Sequence, residues 1–196
     1  MPRRPAPRLP AIPDDKLTDR QRELRDSIRS GPRGKLVMEG PFAAFLHAPE
    51  YGDLAQQLGA FCRYRTALAP RLSEFAILAT ARFWKAQYEW YAHVPHAARA
   101  GIPAKTIRDL HAGRRPKGAP ADQLAIYDFV AELYRTRRVR EPTYRRVNKL
   151  LGDAGTVELV GILGYYALIS MTLNVFQMNI PASEPLPFAE PTARKR

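Results

Sequence analysis

Cysteine is almost missing from this chain: Cys62 stands alone among 196 residues. An intrachain disulfide is therefore impossible, and so is any two-cysteine redox centre within one subunit. The opening "MPRRPAPRLPAIPDD" has basic residues but no apolar core after them, so no secretory leader is visible and a cytoplasmic protein is expected. No run of strand-like alternation reaches a useful length, and no fixed-period repeat occurs. Acidic residues are the minority, 19 against 31 Lys and Arg, for a net charge of +12. Such an excess suits nucleic acid, a membrane surface or anionic substrates. The basic groups, however, cluster at Arg3, Arg4 and Arg8, at Arg194, Lys195 and Arg196, and in "YRTRRVREPTYRRVNK". No zinc-finger spacing, RNA-binding aromatic signature or helix-turn-helix pattern accompanies them, so solvated tails and faces are expected and a nucleic-acid partner is not.

What is present is enough apolar material for one well-packed domain: 45% of the residues are hydrophobic. Residues 1–16 hold five prolines and read as an extended arm. A domain over 17–180 and a tail over 181–196 complete the expected organisation. The first helix starts at Thr18, with Gln21 completing a capping box, and stops at Gly31-Pro32. The next segment, "GPRGKLVMEGPFAAFLHAPE", is both apolar and glycine-rich, which suits a loop lining something. A helix over 49–64 is expected to bury Leu54, Leu58 and Phe61. Another, capped by Ser73, has a helical pattern as far as Gly101, and shorter helices follow over 104–112, 121–134 and 142–151. The stretch 159–180 carries no formal charge and is long enough to span a bilayer. Its Gly161, Gly164, Ser170, Asn174, Gln177 and Asn179 favour instead a helix buried in its own domain and against a neighbouring subunit. No membrane association is expected, and an oligomer is.

The chemistry gathers in "YEWYAHVPHAARAG", residues 88–101. Glu89, His93 and His96 share a narrow sector of a helix at 100° per residue. A metal site is not expected there. There is no HExxH, and Pro95 between the histidines bends or restarts the helix. Glu89 and His93 lie on the same side of Pro95, and a carboxylate beside an imidazole favours its protonated form while burial opposes it. Such a histidine exchanges a proton near neutral pH. An ordinary helical ion pair or a hydrogen-bonded core histidine fits the same spacing.

Residues 71–113 resemble the carboxymuconolactone decarboxylase family, which includes the alkyl hydroperoxidase D branch. The matching features are Glu74 opening an "E-x-x-I-L" helix, the "YEW" of 88–90, His93 and the "AG" of 100–101. "VELVGILGYYALISMTLNVF", residues 157–176, is similar to the closing helix of decarboxylase-like members, and the likeness spans about residues 18–180. It implies an all-α, single-domain helical bundle of the alkyl hydroperoxidase D-like type, assembled as a homotrimer or larger ring with active sites near subunit boundaries. The peroxidase branch's two cysteines would fall at Ala86 and Glu89, so peroxide reduction by a thiol pair within one chain is excluded. The resemblance leaves Glu74 and His93 as the acid–base component, with Glu89 in a vacated thiol position. On one straight helix Glu74 and His93 would stand about 28 Å apart, at roughly 1.5 Å per residue. The resemblance implies a break near Trp84–Tyr88, although no Gly or Pro forces one.

The implied activity is that of a cofactor-free lyase working by proton transfer on a small anionic cyclic or lactone-like molecule, as in aromatic-compound breakdown. A non-catalytic binding or assembly protein on the same fold is the alternative, with peroxidase-like activity through Cys62 more remote. His93, Glu74 and Glu89 are the expected catalytic residues. Arg71 and Arg82 are candidates for a substrate carboxylate, although either also suits an ion pair with a nearby acid. Trp90, Tyr88 and Tyr91 are candidate apolar walls and equally suit a helical core.

Overall fold

The computed structural model describes residues 4–34 and 38–190; Arg3 and the basic run Arg194-Lys195-Arg196 lie outside them. Among the described residues there are eight α-helices and no strand. They are α1 (Asp19–Ser30), α2 (Pro41–Phe45), α3 (Pro49–Tyr64), α4 (Pro70–Trp84), α5 (Gln87–Arg99), α6 (Ala104–His111), α7 (Ala121–Thr136) and α8 (Glu141–Phe176). Thr18 caps α1 through the expected box, its side chain accepting from Gln21 N and its own N–H donating to Gln21 Oε1. Four of the longer helices, α1, α3, α4 and α8, surround the core, with α4 packed against α8, α5 and α7 and α1 laid on α3. Phe75, Ile77 and Leu78 of α4 are completely buried. Each contributes about 1.5–3 kcal/mol relative to an exposed position.

Three expectations need correction. Residues 73–101 do not continue as the one helix that their pattern suggests but form an antiparallel hairpin, broken within the Trp84–Tyr88 stretch where the resemblance implied it. Lys85 takes the left-handed conformation (φ 49°, ψ 38°), its N–H donates to Arg82 O, and Ala86 N–H donates to Ala81 O. This is a Schellman ending with lysine where glycine is usual, sealed by Ala86, which is fully buried. Ser73 is not a cap either: α4 begins three residues earlier at Pro70, whose missing N–H costs nothing in the first turn, and Ser73 Oγ bonds back to Pro70 O. Third, α3 turns its small residues inward. Gly52, Ala55, Gly59 and Cys62 are buried, whereas Leu54 is 70% exposed and Leu58 is exposed as well. Close helix approach requires small side chains, and that overrides the larger residues' preference for burial.

α8 has its own discontinuity. Gly152 (φ 67°, ψ −178°) breaks it into an N-terminal segment and a long apolar one. The apolar segment is long enough to cross a membrane, but Leu159, Ile162, Leu163, Ile169 and Leu173 pack into the core. Its outward side carries Val157, Val160, Met171 and Val175.

The described segments before α1 and after α8 fold back on this bundle. Arg4 donates to the carbonyls of Ile180, Pro181 and Glu184, and Arg8 N–H donates to Phe176 O. The packed unit extends past residue 180, because Phe188 is buried and stacks on His111 at 5.2 Å. Gln87 holds it by both amide atoms, donating to Phe188 O and accepting from Phe188 N.

Candidate active site

The hairpin turn at Lys85 brings α4 and α5 side by side, so residues distant on a single straight helix meet. Glu74 Oε2 lies 2.8 Å from His93 Nδ1. A carboxylate can only accept there, which places the ring hydrogen on Nδ1 and turns Nε2 the other way. On that side Glu89 Oε1 is 3.7 Å from Nε2. All three are buried: His93 is 4% exposed, Glu74 7% and Glu89 5%. Pro95 does not interrupt this, since α5 continues through it to Arg99. The two carboxylates sit at opposite ring nitrogens, an arrangement for moving a proton through the ring, not for converging on one ion.

His93 and Glu89 both line a cavity of about 300 Å³, together with Tyr88, Tyr165, Tyr166 and Ile169, with Arg33, Glu39, Phe42 and Arg63 on other sides. Tyr166 meets the His93 ring edge-on at 5.1 Å. Burial raises the Glu89 carboxyl above the ordinary range, and the neighbouring Glu74 adds to it against the pull of His93 and Arg63. Tyr88 is pushed up to about 12 by burial, and Tyr166 well above its usual value for the same reason. These phenols are therefore neutral hydrogen-bond donors at physiological pH. His96 takes no part in this wall. It lies between Arg63 and Arg99, at 2.6 and 2.7 Å, and burial first and Arg63 second lower it to about 4.

Two glycines make the cavity possible. Gly40 (φ 55°) caps α2 in a left-handed conformation, and a Cβ there would collide with the Tyr88 ring. Gly59 lets α3 approach α8 so closely that a Cβ would sit on the Tyr165 hydroxyl. The apolar, glycine-rich segment after α1 thus does line something, through Arg33, Glu39, Pro41 and Phe42.

The structure brings together Glu74, Glu89, His93 and Tyr88, and not the other predicted residues. Trp90 faces away, 5.2 Å from His111 and 5.4 Å from Phe188, because the tail supplies its aromatic partners. Tyr91 is exposed. Arg71 is paired with Asp122 at the start of α7, with one contact at 3.1 Å. Arg82 donates to His111 O at 2.6 Å and lies over Phe188. Sequence reasoning missed Arg33, Arg63, Tyr165 and Tyr166. The "YY" of 165–166 inside an otherwise apolar helix was the available signal, since buried phenols need partners or a cavity.

No family model matches the sequence, and none of the curated proteins does. Among solved structures, one is described as the alkylhydroperoxidase AhpD core, an uncharacterized peroxidase-related protein from Ralstonia eutropha JMP134. It aligns with a TM-score of 0.76 over 91% of this chain and 94% of that chain, at 16% sequence identity. At that identity the likeness concerns the fold alone, and the fold of this chain is the all-helical AhpD-like one.

Proposed function

We propose that this protein is a cofactor-free acid–base enzyme, similar to carboxymuconolactone decarboxylase, acting on a small anionic cyclic or lactone-like molecule. The observation that carries the reading is His93, bound through Nδ1 to Glu74, with Glu89 near Nε2 and both lining one cavity. In the reaction the bond from ring carbon to carboxylate breaks and carbon dioxide leaves. Its electron pair passes into the unsaturated lactone, and His93, doubly protonated after taking a proton at Nε2 from Glu89, delivers that proton to the carbon that has gained the pair. An unsaturated lactone is its own electron sink, so the chemistry asks for no cofactor. Glu74 fixes the ring's tautomer and supports the imidazolium form. Glu89, raised by burial, returns the proton from its side of the cavity. The test is a decarboxylation assay on carboxylated unsaturated lactones, following carbon dioxide release with and without the His93 side chain. No release from any such lactone, with the protein folded, rejects the reading.

Thiol chemistry has little support. Cys62 is 1% exposed, and burial with Glu158 nearby pushes its thiol up to about 11, leaving almost no thiolate at neutral pH. Turnover in Cys62→Ser is expected to match that of the unmodified protein. A large loss with the fold intact would revive a peroxidase.

The proposal includes self-association, as a homotrimer or larger. Tyr51, Leu54 and Leu58 on α3 and Val157, Val160 and Met171 on α8 are large apolar side chains left at the surface. Val157 is 71% exposed, so Val157→Arg leaves the single chain's core untouched. Sedimentation is expected to show a trimer or hexamer for the unmodified protein and smaller species for Val157→Arg and Leu54→Arg. A monomer throughout removes this part of the proposal.

A further inference from the structure

Among the described residues, the cavity's two guanidinium groups have no carboxylate of their own. Several arginines elsewhere are paired with acids, Arg71 with Asp122, Arg114 with Asp109, Arg115 with Asp128 and Arg140 with Glu132, while others such as Arg4 and Arg82 are satisfied by backbone carbonyls away from this cavity. Arg63, half-buried at the end of α3, instead approaches His96 Nε2 at 2.6 Å and lies over Tyr64. Arg33, half-buried after α1, donates to Gln56 O at 3.2 Å and lies over the Phe42 ring at 5.2 Å. Both line the cavity that His93 faces. Of the acids nearby, Glu74 is engaged by His93, Glu89 is pushed by burial toward its neutral form, and Glu39 is exposed at the rim without an ion pair to either arginine. A half-buried planar cation with unused N–H groups, facing a cavity, is a seat for an anion. The fork of a guanidinium matches a carboxylate.

His96 completes the arrangement. Its Nε2 lies 2.6 Å from Arg63 and its Nδ1 2.7 Å from Arg99, and a neutral imidazole accepts from only one of them; with Nε2 as the acceptor it fixes the Arg63 guanidinium without cancelling its charge. An aspartate or glutamate in its place would fill the seat from within the protein.

We infer that Arg63 and Arg33 hold a carboxylate of the substrate against the cavity wall, and that His96 is the positioning residue that keeps Arg63 in place. This assigns to Arg33 and Arg63 the role that the sequence suggested for Arg71 and Arg82. It rests on reading the cavity as the active site. The carboxylate is held on the arginine side and the reacting carbon is presented to His93.

The test uses 2-furoate, a planar five-membered-ring carboxylate, and 2-furamide, its uncharged counterpart, titrated calorimetrically into the full chain. The unmodified protein is expected to bind 2-furoate at millimolar concentration and 2-furamide at least about tenfold more weakly. Arg63→Met and Arg33→Met each lose about tenfold for 2-furoate and leave 2-furamide binding unchanged. His96→Leu weakens 2-furoate, His96→Gln preserves its binding by keeping an acceptor, and His96→Leu adds nothing to Arg63→Met, the signature of two residues acting as one unit. His93→Gln binds 2-furoate as the unmodified protein does. The inference is overturned if 2-furoate does not bind, if it is not preferred over 2-furamide, or if both methionine variants retain it. If His93→Gln stays active while the furoate preference persists, the proton-transfer reading fails and the carboxylate seat stands.

Discussion

Replacing His93 with glutamine is expected to lower turnover about a thousandfold while leaving helical content and the unfolding transition nearly unchanged. Glutamine has the length to reach Glu74 but cannot carry a proton between two partners. The loss should therefore fall on kcat and spare KM, because the arginines and tyrosines of the cavity are untouched. Glu74→Gln offers the graded comparison. An amide oxygen or nitrogen can still meet Nδ1, so the ring keeps its place, but the negative charge that supports the imidazolium is gone. Its turnover should fall between those of the unmodified protein and His93→Gln. A His93→Gln variant that folds and retains full turnover would remove the ring from the chemistry.

The pairing behind that expectation was only partly legible in the sequence. Glu89 and His93 are four apart on one helix, and their proximity follows from helical geometry alone. Glu74 and His93 are different: their meeting depends on Lys85 adopting a left-handed backbone, which local propensity does not favour. Tertiary packing of α4 on α5, with Ala86 buried in the joint, outweighs that cost. The same limit explains the misplaced faces of α3. Periodicity marks Leu54 and Leu58 as inward, yet the buried side is chosen by how closely α3 must approach its neighbours. The arginines failed for a related reason. Arg71 and Arg82 are near the motif in sequence, whereas Arg33 and Arg63 reach the cavity from α1's end and from α3, a relation that only the assembled bundle creates.

Gly59→Val is expected to destabilise the fold by about 3 kcal/mol, near the upper end for overpacked cores. For a chain of this size that corresponds to a fall in Tm of about 10 °C. A Cβ at this position would occupy the space of the Tyr165 hydroxyl and press on the Arg33 guanidinium. Tyr165 is itself buried beside Tyr166, with ring centroids 5.3 Å apart, so it has little room to withdraw. Valine adds branching that forces either α3 outward or the tyrosine pair into the cavity. Urea unfolding measures the cost through the midpoint, and Tyr165→Leu in the same chain should restore part of it by removing the obstructing ring. An unchanged midpoint in Gly59→Val would mean that α3 and α8 do not approach as closely as described.

Glu74 and His93 stand only 19 positions apart, on one α-hairpin. Apart from Tyr88, Glu89 and Ala92 of the same hairpin, the cavity's walls come from stretches far away along the chain. The proton-handling pair therefore closes over a short loop, at small entropic expense, and does not wait for distant segments to arrive. A lineage built on this bundle has the means to keep that compact cassette while exchanging the far-flung walls, and so to change which guest it accepts without rebuilding how it moves hydrogen.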